Sequence, residues 1–413
     1  ADVEAPFGGV PIGVKSLTPV AGWPDDEASV PFRDRVADHT ATMVERVRGA
    51  GAVLAAQTTS SEFGGVNVTR TVLHGTTHNP WRHGRTPGCS SGGSASVVAG
   101  GILPIATGGD GGGSIRIPAG FTGLVGLKGT YGRIPLGPMH RLGNLTVSTG
   151  CLSRSVRDTA RWFDVANGHH GTDPLSLPRV EGWESGLGSF GDELRGRRVV
   201  VSPDWGGATV SPVMWELLEA AASDLVERAG LVRVDVDTSL PRMGAAWSIS
   251  GMTAIAAELG DRWPDCADDL TPEIRSGLRQ TADQYSAAAR ARIEQRRMEL
   301  NERMAAIFDP VDGVDLVITA SNPDVAFDAD GPLPAVFGGI DAPKGAANNG
   351  LLTFPANMYG NPAISVPAGA VDDGDGPLPI GLQIIGRHFD EPLLLDLALS
   401  MERSQPWPLV APG

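Results

Sequence analysis

The sequence predicts an α/β protein built on one large layered sheet, and two observations support this prediction. Short apolar or β-branched segments bounded by Gly or Pro alternate along the chain with longer amphipathic segments. Of the 413 residues, 41% are hydrophobic, so the chain can bury a sizeable core. Strands that alternate with helices are typical of a sheet covered by helices.

Seven segments have the composition of strands, because each is short, apolar or β-branched, and flanked by turn-forming residues. In chain order they are residues 10–15, 52–58, 102–108, 197–202, 314–319, 362–369 and 379–386. The sequence therefore predicts at least seven strands, spread from one end of the chain to the other.

Five segments repeat apolar residues at helical spacing. They are residues 34–51, 155–168, 211–230, 281–308 and 391–403. In the third of these, Ser211 and Pro212 suit the N-cap and the first helical position, and Gly230 suits the C-terminal end. A further helix is expected to begin near Ser94, after a Gly/Ser turn.

The pattern favours one domain over residues 1–413 rather than two domains. Residues 170–195 are rich in Gly, Pro and Ser, as in a linker, but the last strands resume the style of the first ones. We therefore expect a single domain with a variable insertion at about 170–350.

Charge and cysteine content exclude several classes of function. With 33 Lys+Arg against 48 Asp+Glu, the net charge is −15, so no basic field attracts nucleic acid or an anionic membrane. The cysteines Cys89, Cys151 and Cys266 are scattered without CxxC spacing, which supports neither a disulfide framework nor a zinc site. No apolar segment has the length of a membrane span. We expect a cytoplasmic protein without a metal.

Residues 86–135 are the most informative stretch, because they contain two Gly/Ser turns. The first, GCSSGG (88–93), precedes a predicted helix, and the second, GGDGGGS (108–114), follows a predicted strand. Consecutive glycines can turn backbone N–H groups toward one point and form an anion nest. A hydroxyl at the edge of such a nest would attack a carbonyl beside its own oxyanion hole. Ser114 occupies that edge.

An attacking serine needs a base, which is usually a histidine. Of the eight histidines, only His388 lies near a C-terminal strand end where it could serve, and its more ordinary interpretation is a loop residue. A lysine held neutral by burial can be the base instead. Lys15 attracts attention because it ends an apolar predicted strand, although on its own it would be an ordinary strand-end lysine.

These segments together resemble the amidase signature family of serine hydrolases. The matching blocks are GVPIGVK (9–15), TPGCSSGGSA (86–95), DGGGSIRIPAGFTGLVGLKGTYGRIP (110–135), NMYGNPAISVPAG (357–369) and GLQIIGRHFDEPLLLDLA (381–398). They cover nearly the whole chain in the same order. The resemblance implies a central mixed, mostly parallel sheet with helices on both faces, and no cofactor.

The resemblance also implies a Ser–cis-Ser–Lys catalytic triad. It falls on Ser114 as the nucleophile, Ser90 as the bridging serine and Lys15 as the base. The peptide bond between Cys89 and Ser90 is expected to be cis, which is rare for a residue other than proline.

Further positions carry implied roles in the loops around the triad. The tetrahedral oxyanion would be held by the backbone N–H groups of Gly111, Gly112, Gly113 and Ser114. The residues that look supportive of the loop rather than reactive are Ser91, Asp110 and Arg116. The resemblance places the wall of the acyl pocket at Gly64 and Gly65, where two glycines would leave room for bulky or aromatic groups.

Five residues depart from the family pattern without removing a member of the triad. Ser16 stands where Asp is common, Cys89 replaces Gly, Gly109 and Gly111 replace Thr or aliphatic residues, and Gly129 replaces Pro. For Cys89 we favour a buried packing role over a thiol nucleophile. Helices that the family carries before its first block are not found in the chain, which leaves a monomer and a homodimer both open.

The expected function is hydrolysis of the C–N bond of small or aryl amides through an acyl-enzyme on Ser114, with esters, anilides and carbamates as related substrates. One alternative is the amidase subunit of a glutamine-dependent amidotransferase. A second is an α/β-hydrolase esterase, since GCSSG (88–92) fits G-x-S-x-G with Ser90 as nucleophile. A phosphate-binding module is disfavoured because the chain has no GxxxxGK[ST] motif.

Overall fold

A ten-stranded mixed sheet forms the centre of the protein in a computed structural model, which describes residues 4–138, 145–241, 243–281 and 284–412. In chain order, the strands of the described residues are β1 (Pro11–Lys15), β2 (Val53–Thr58), β3 (Arg70–Thr71), β4 (Gly75–Thr76), β5 (Ile105–Asp110), β6 (Val125–Lys128), β7 (Ser148–Ser153), β8 (Arg198–Val201), β9 (Val232–Arg233), β10 (Leu316–Ala320), β11 (Val336–Phe337), β12 (Ile340–Asp341), β13 (Ala363–Asp372) and β14 (Pro377–Gly386). The large sheet has the order β2-β1-β5-β7-β6-β13-β14-β10-β8-β9, and β3–β4 and β11–β12 form small separate hairpins.

The helices, again of the described residues, are α1 (Thr42–Gly49), α2 (Gly92–Ala99), α3 (Arg116–Thr122), α4 (Val156–Ala166), α5 (Gly191–Leu194), α6 (Pro212–Ala229), α7 (Gly244–Leu259), α8 (Pro272–Thr281), α9 (Ala287–Ile307), α10 (Phe354–Tyr359) and α11 (Glu391–Ser404). Short 3-10 turns lie at Val30–Phe32, Glu62–Gly64, Gly260–Arg262, Ala267–Asp269 and Gly345–Gly350. None of the helices in this part of the chain is both long enough and apolar enough to cross a membrane.

Parallel and antiparallel pairs occupy different parts of the sheet. At one flank β1 pairs in parallel with β2 and β5, and at the other β8 pairs in parallel with β9 and β10. The central pairs, from β5–β7 through β14–β10, are antiparallel. The expected mixed sheet is therefore present, with its parallel character concentrated at the flanks.

Helices cover both faces of this sheet. Neighbouring strand residues point to opposite faces, and here Ile105 and Cys151 belong to one buried cluster whereas Ala106 and Leu152 belong to another. The first cluster packs against α4, α6 and α11, and the second packs against α2 and α3. The chain is thus a single large α/β domain, as the resemblance implies.

The seven predicted strands are all present within a few residues, as β1, β2, β5, β8, β10, β13 and β14. Two predicted helices are shorter than expected. The segment 34–51 is helical only from Thr42, because the backbone of residues 35–37 pairs with residues 22–25 instead. The segment 281–308 is helical only from Ala287, where the Ser286 hydroxyl accepts the amide of Ala289 at 3.1 Å.

The expected insertion at 170–350 is part of the sheet rather than an addition outside it. Strands β8, β9 and β10 all lie within this range and complete one flank. Sequence patterns missed β6 and β7, because their short segments VGLK and STGCLS are rich in small and polar residues and lack clear alternation.

Candidate active site

Lys15 is the last residue of β1, and the sheet brings it beside the carboxyl end of β5. The two strands are parallel, with Ile12 opposite Ile105, and the Lys15 amide donates to the hydroxyl of Thr107 at 2.8 Å. Since carboxyl ends of neighbouring parallel strands meet at one edge of a sheet, the loop after β5 begins beside Lys15. That loop carries the glycines 111–113 and Ser114.

The ammonium group of Lys15 donates a hydrogen bond to the hydroxyl of Ser90, with 2.6 Å between Nζ and Oγ. Both residues are 3% exposed. Ser90 lies just before α2, and the peptide bond between Cys89 and Ser90 is cis, which confirms the expectation for this bond. The structure thus brings together two of the three predicted triad residues, which are 75 positions apart in sequence.

Burial lowers the pKa of Lys15 to about 8, because an ammonium group loses solvation in the interior. The negative charges of nearby acidic groups, including Asp110, oppose this shift only in part. An appreciable fraction of Lys15 is therefore neutral at mildly alkaline pH and able to accept a proton.

Ser114 lies in the loop between β5 and α3 and is partly exposed. The glycine before it, Gly113, has a φ of +133°, a conformation that residues with side chains rarely adopt. A Cβ atom at Gly113 would also lie 2.2 Å from the hydroxyl oxygen of Thr353. Local sequence therefore imposes the glycine nest, and Ser114 stands at its edge as expected.

The amide groups of this nest are not equivalent. Gly113 N–H donates to Asp110 Oδ1 at 2.7 Å, so it is already engaged and is not a free oxyanion donor as the sequence suggested. The N–H groups of Gly111, Gly112 and Ser114 donate no hydrogen bond to any described residue. These three are the donors that remain available for a developing oxyanion.

Asp110 and Arg116 form a fully buried ion pair beneath the nest. The guanidinium binds the carboxylate through two contacts, Nε to Oδ2 at 2.9 Å and Nη2 to Oδ1 at 3.0 Å. Burial by itself raises the pKa of Asp110, but the charge and hydrogen bonds of Arg116 outweigh it and hold the pKa well below its ordinary value. Asp110 is therefore an anion that organises the loop, which agrees with the structural role expected for both residues.

Three residues that sequence reasoning did not select complete this support. Thr353 donates from its hydroxyl to the Gly112 carbonyl at 2.7 Å, and its own carbonyl accepts Arg116 Nη1 at 2.8 Å. Asn357 donates to Asp110 Oδ1 at 2.9 Å, and Gln383 accepts a hydrogen bond from Arg116. The available signal was the block at 357–369, which opens with Asn357.

The remaining predicted residues lie close by, with one correction. Ser91 Oγ lies 3.4 Å from the Gly109 carbonyl, and a Cβ at Gly64 would lie 3.4 Å from Ser90 Oγ. At Gly65, however, a Cβ would meet Ile255 and Ile274, each at 3.0 Å. The space beside Gly65 is filled by α7 and α8, so this glycine permits close packing and does not leave room for a bulky substrate.

The structure contradicts the esterase and thiol alternatives. His388 Nε2 lies 2.9 Å from the Tyr359 carbonyl, and no strand leads into Ser90, since residues 77–89 contain none. A strand-to-helix elbow is therefore missing at Ser90. The thiol of Cys89 donates to Asn67 Oδ1 at 2.7 Å, and burial raises its pKa well above the ordinary range. Cys89 is thus held as a neutral thiol.

Across the residues that the structure describes, no three His, Cys, Asp or Glu side chains cluster in a way that could hold a metal ion. The arrangement instead combines a buried lysine, a serine hydrogen-bonded to it, and a second serine beside unengaged backbone amides. These are the parts needed for nucleophilic attack on a carbonyl group.

Comparison with known proteins gives a consistent result. A family model described as Amidase matches residues 1–395. An acylamidase of Rhodococcus erythropolis is 32% identical over 411 residues, covering 97% of this chain and 82% of that protein. A glutamyl-tRNA(Gln) amidotransferase subunit of Methanosarcina acetivorans is 30% identical and covers 97% and 85%. A crystal structure of a bacterial aryl acylamidase superposes with a TM-score of 0.85 at 28% identity, covering 97% of this chain and 83% of that chain.

Proposed function

The chain belongs to the amidase family of hydrolases, and on that premise we propose that it cleaves the C–N bond of small or aryl amides through an acyl-enzyme on Ser114. The observation that carries this proposal is the 2.6 Å hydrogen bond between Lys15 Nζ and Ser90 Oγ at the edge of the glycine nest. A lysine kept partly neutral by burial can deprotonate a serine without any histidine.

In the proposed first step, neutral Lys15 takes the proton of Ser90 while Ser90 takes the proton of Ser114. The Ser114 oxygen then forms a bond to the carbonyl carbon, and the carbonyl electron pair moves onto oxygen. The resulting oxyanion accepts hydrogen bonds from the amides of Gly111, Gly112 and Ser114.

The second half of the cycle reverses the relay. When the oxyanion collapses, the C–N bond breaks, and the proton from Lys15 returns through Ser90 to the leaving nitrogen. Water then attacks the acyl-Ser114 ester and gives its proton to the same relay. Collapse of this second intermediate releases a carboxylic acid and restores the Ser114 hydroxyl.

Acylamidase and aryl acylamidase relatives support small and aryl amides as the substrate class. Anilides fall within this class, and esters and carbamates react through the same attack on a carbonyl carbon. The acidic net charge of −15 favours neutral substrates over anionic ones and gives no basic surface for nucleic acid. The free cysteines Cys89, Cys151 and Cys266 fit a cytoplasmic protein.

A second candidate function is the amidase subunit of a glutamine-dependent amidotransferase. It is favoured by the match to the amidotransferase protein of Methanosarcina acetivorans, which is nearly as similar as the acylamidase. The two functions differ in substrate. A free-standing amidase hydrolyses anilides by itself, whereas the amidotransferase function predicts release of ammonia from glutamine and little turnover of anilides.

The test measures hydrolysis of a nitroanilide series, a nitrophenyl ester, a nitrophenyl carbamate and glutamine. We expect turnover of the anilides, a loss on the order of 10³-fold or more in kcat/KM for Ser114→Ala and Lys15→Ala, and no large change for Ser96→Ala. Ser96 is a suitable control because it lies on α2 and its hydroxyl donates to the His78 carbonyl at 2.9 Å.

Intact-mass measurement during turnover of the ester adds a direct test of the acyl-enzyme. We expect a mass increase equal to the acyl group in the wild type and none in Ser114→Ala. Activity of Ser114→Ala equal to that of Ser96→Ala would refute the proposed nucleophile. Turnover of glutamine alone would favour the amidotransferase function.

A further inference from the structure

A cavity of about 730 Å³ lies outside the set of residues that form the candidate active site. Its walls are one side of α9, the turn at 204–208 after β8, the segment 351–355 that leads into α10, and Ile249 of α7. This volume is in the range of sites that enclose a small organic molecule. The mechanism proposed above assigns no role to this cavity.

Much of the cavity lining is apolar and partly aromatic. The apolar side chains include those of Trp205, Leu240, Ile293, Leu351 and Phe354. Trp205 is 4% exposed, and its indole N–H donates to the Leu352 carbonyl at 3.3 Å, which holds the ring in place. A ligand enclosed here would therefore need an apolar body, and the two aromatic rings favour a ring in that body.

The charged groups of the lining are mainly cationic. Arg292 and Arg296 lie four residues apart on α9 and thus project from the same side of the helix. Lys344 adds a third cation, and Asp204 is the anionic side chain among the described lining residues. The lining is therefore net positive, although the whole chain has a net charge of −15.

An apolar lining with a cationic margin matches a molecule that has a ring and a negatively charged head. Two guanidinium groups on one side of a helix suit a planar carboxylate, which they bind through paired N–H donors. We propose that this cavity binds an aromatic carboxylate. Carboxylic acids are also the class of product that amide hydrolysis releases, so such molecules form wherever the enzyme acts.

The cavity and the glycine nest share one segment of chain. Leu351 and Phe354 line the cavity, while Thr353 between them binds the Gly112 carbonyl through its hydroxyl at 2.7 Å. Arg116 is bound to the carbonyl of the same threonine. A carboxylate seated against Phe354 therefore contacts the segment that supports the oxyanion loop, and its binding is expected to change the rate of amide hydrolysis.

The first experiment is calorimetric titration of the full chain with 4-phenylbutyrate, and with 4-phenylbutan-1-ol as the uncharged equivalent. We expect one binding site for the carboxylate, at least tenfold weaker binding of the alcohol, and weaker carboxylate binding as NaCl is raised. The titration is repeated with Ser114→Ala, whose affinity should match the wild type. Binding is thereby measured without turnover, so its outcome does not depend on the proposed function.

Two further variants locate the ligand. The double variant Arg292→Gln/Arg296→Gln should bind the carboxylate at least tenfold more weakly, whereas Arg290→Gln should bind normally. Arg290 is a matched control because it lies on the same helix and pairs with Glu294, 2.7 Å away. Ala347→Trp places an indole in the cavity from an exposed lining position and should abolish binding without lowering Tm.

The proposal is overturned if millimolar 4-phenylbutyrate gives no binding heat with the wild type. It is also overturned if the Arg290→Gln control weakens binding as much as the double variant does. Competitive inhibition of anilide hydrolysis that survives the double variant would place the carboxylate at Ser114 instead, and would equally reject the cavity as its site.

Discussion

Lys15 Nζ and Ser90 Oγ lie 2.6 Å apart at the edge of the sheet, and both residues are almost completely removed from solvent. Burial disfavours the ammonium form of the lysine, while the short hydrogen bond places its nitrogen where it can receive the serine proton. The protonation state of Lys15 is therefore expected to control the activity.

The pH dependence follows from the direction of the Lys15 shift. Its pKa is lowered to about 8, so below that pH the nitrogen carries a proton and cannot accept another. We expect kcat/KM for an anilide to rise as pH increases from 6 to 9, with an apparent pKa near 8. The measurement is a pH–rate profile of the wild type, compared with Lys15→Met, which should lose this rising limb. An optimum on the acid side of pH 6 would contradict Lys15 as the base.

Two glycines of the nest should respond differently to the same substitution. In Gly113→Ala the new Cβ would lie 2.2 Å from the Thr353 hydroxyl at a φ of +133°, so we expect a loss of about 2 kcal/mol or more in unfolding free energy and of most activity. In Gly111→Ala the Cβ would meet only Val147, at 3.3 Å, so we expect a change within about 1 kcal/mol. Urea unfolding of both variants checks this, and equal losses would show that the close approach to Thr353 is unimportant.

The buried ion pair should be a major source of stability for the loop. Asp110→Asn leaves the guanidinium of Arg116 without its carboxylate, which is expected to cost about 3–5 kcal/mol. As a control, Glu181→Gln removes an exposed partner of Arg179 and should cost no more than about 1 kcal/mol. Urea unfolding at pH 7 compares the two, and similar losses would contradict the assigned role.

The same pair predicts how stability depends on acid. The pKa of Asp110 is lowered in the folded protein, so its contribution is complete above the ordinary carboxyl pKa of about 4 and is lost only as pH falls below that value. The difference in unfolding free energy between wild type and Asp110→Asn should therefore be constant from pH 5 to pH 7 and shrink below pH 4. A difference that already shrinks between pH 7 and pH 5 would be inconsistent with a lowered pKa.

Cys89 should be unreactive although it precedes Ser90. Its thiol is buried and donates to Asn67, and its pKa is raised, so the reactive thiolate is scarce. We expect Cys89→Ala to keep activity within a few-fold of the wild type, and iodoacetamide at pH 8 to label the more accessible Cys266 first. Peptide mass mapping measures the labelling. A loss in Cys89→Ala as large as that in Ser114→Ala would restore the thiol as a nucleophile.

The sequence by itself determined the features that depend on a few neighbouring residues. Apolar segments bounded by Gly or Pro predicted the strands that include β1 and β5, and the run of glycines before Ser114 predicted a nest, since only glycine readily accepts the φ of +133° found at Gly113. The order of the sequence blocks also pointed to Lys15 and Ser90 through a family resemblance.

Tertiary structure alone decided which of these groups touch. The contact between Lys15 and Ser90 spans 75 positions and exists because β1 and β5 pair in parallel. Only the folded chain shows that Asp110 engages the Gly113 amide, that α7 and α8 fill the space beside Gly65, and that Thr353 supports Gly112. Local patterns encode backbone conformation, whereas hydrogen-bond partners, burial and the pKa of a lysine depend on residues that are distant in sequence and meet only when the core packs.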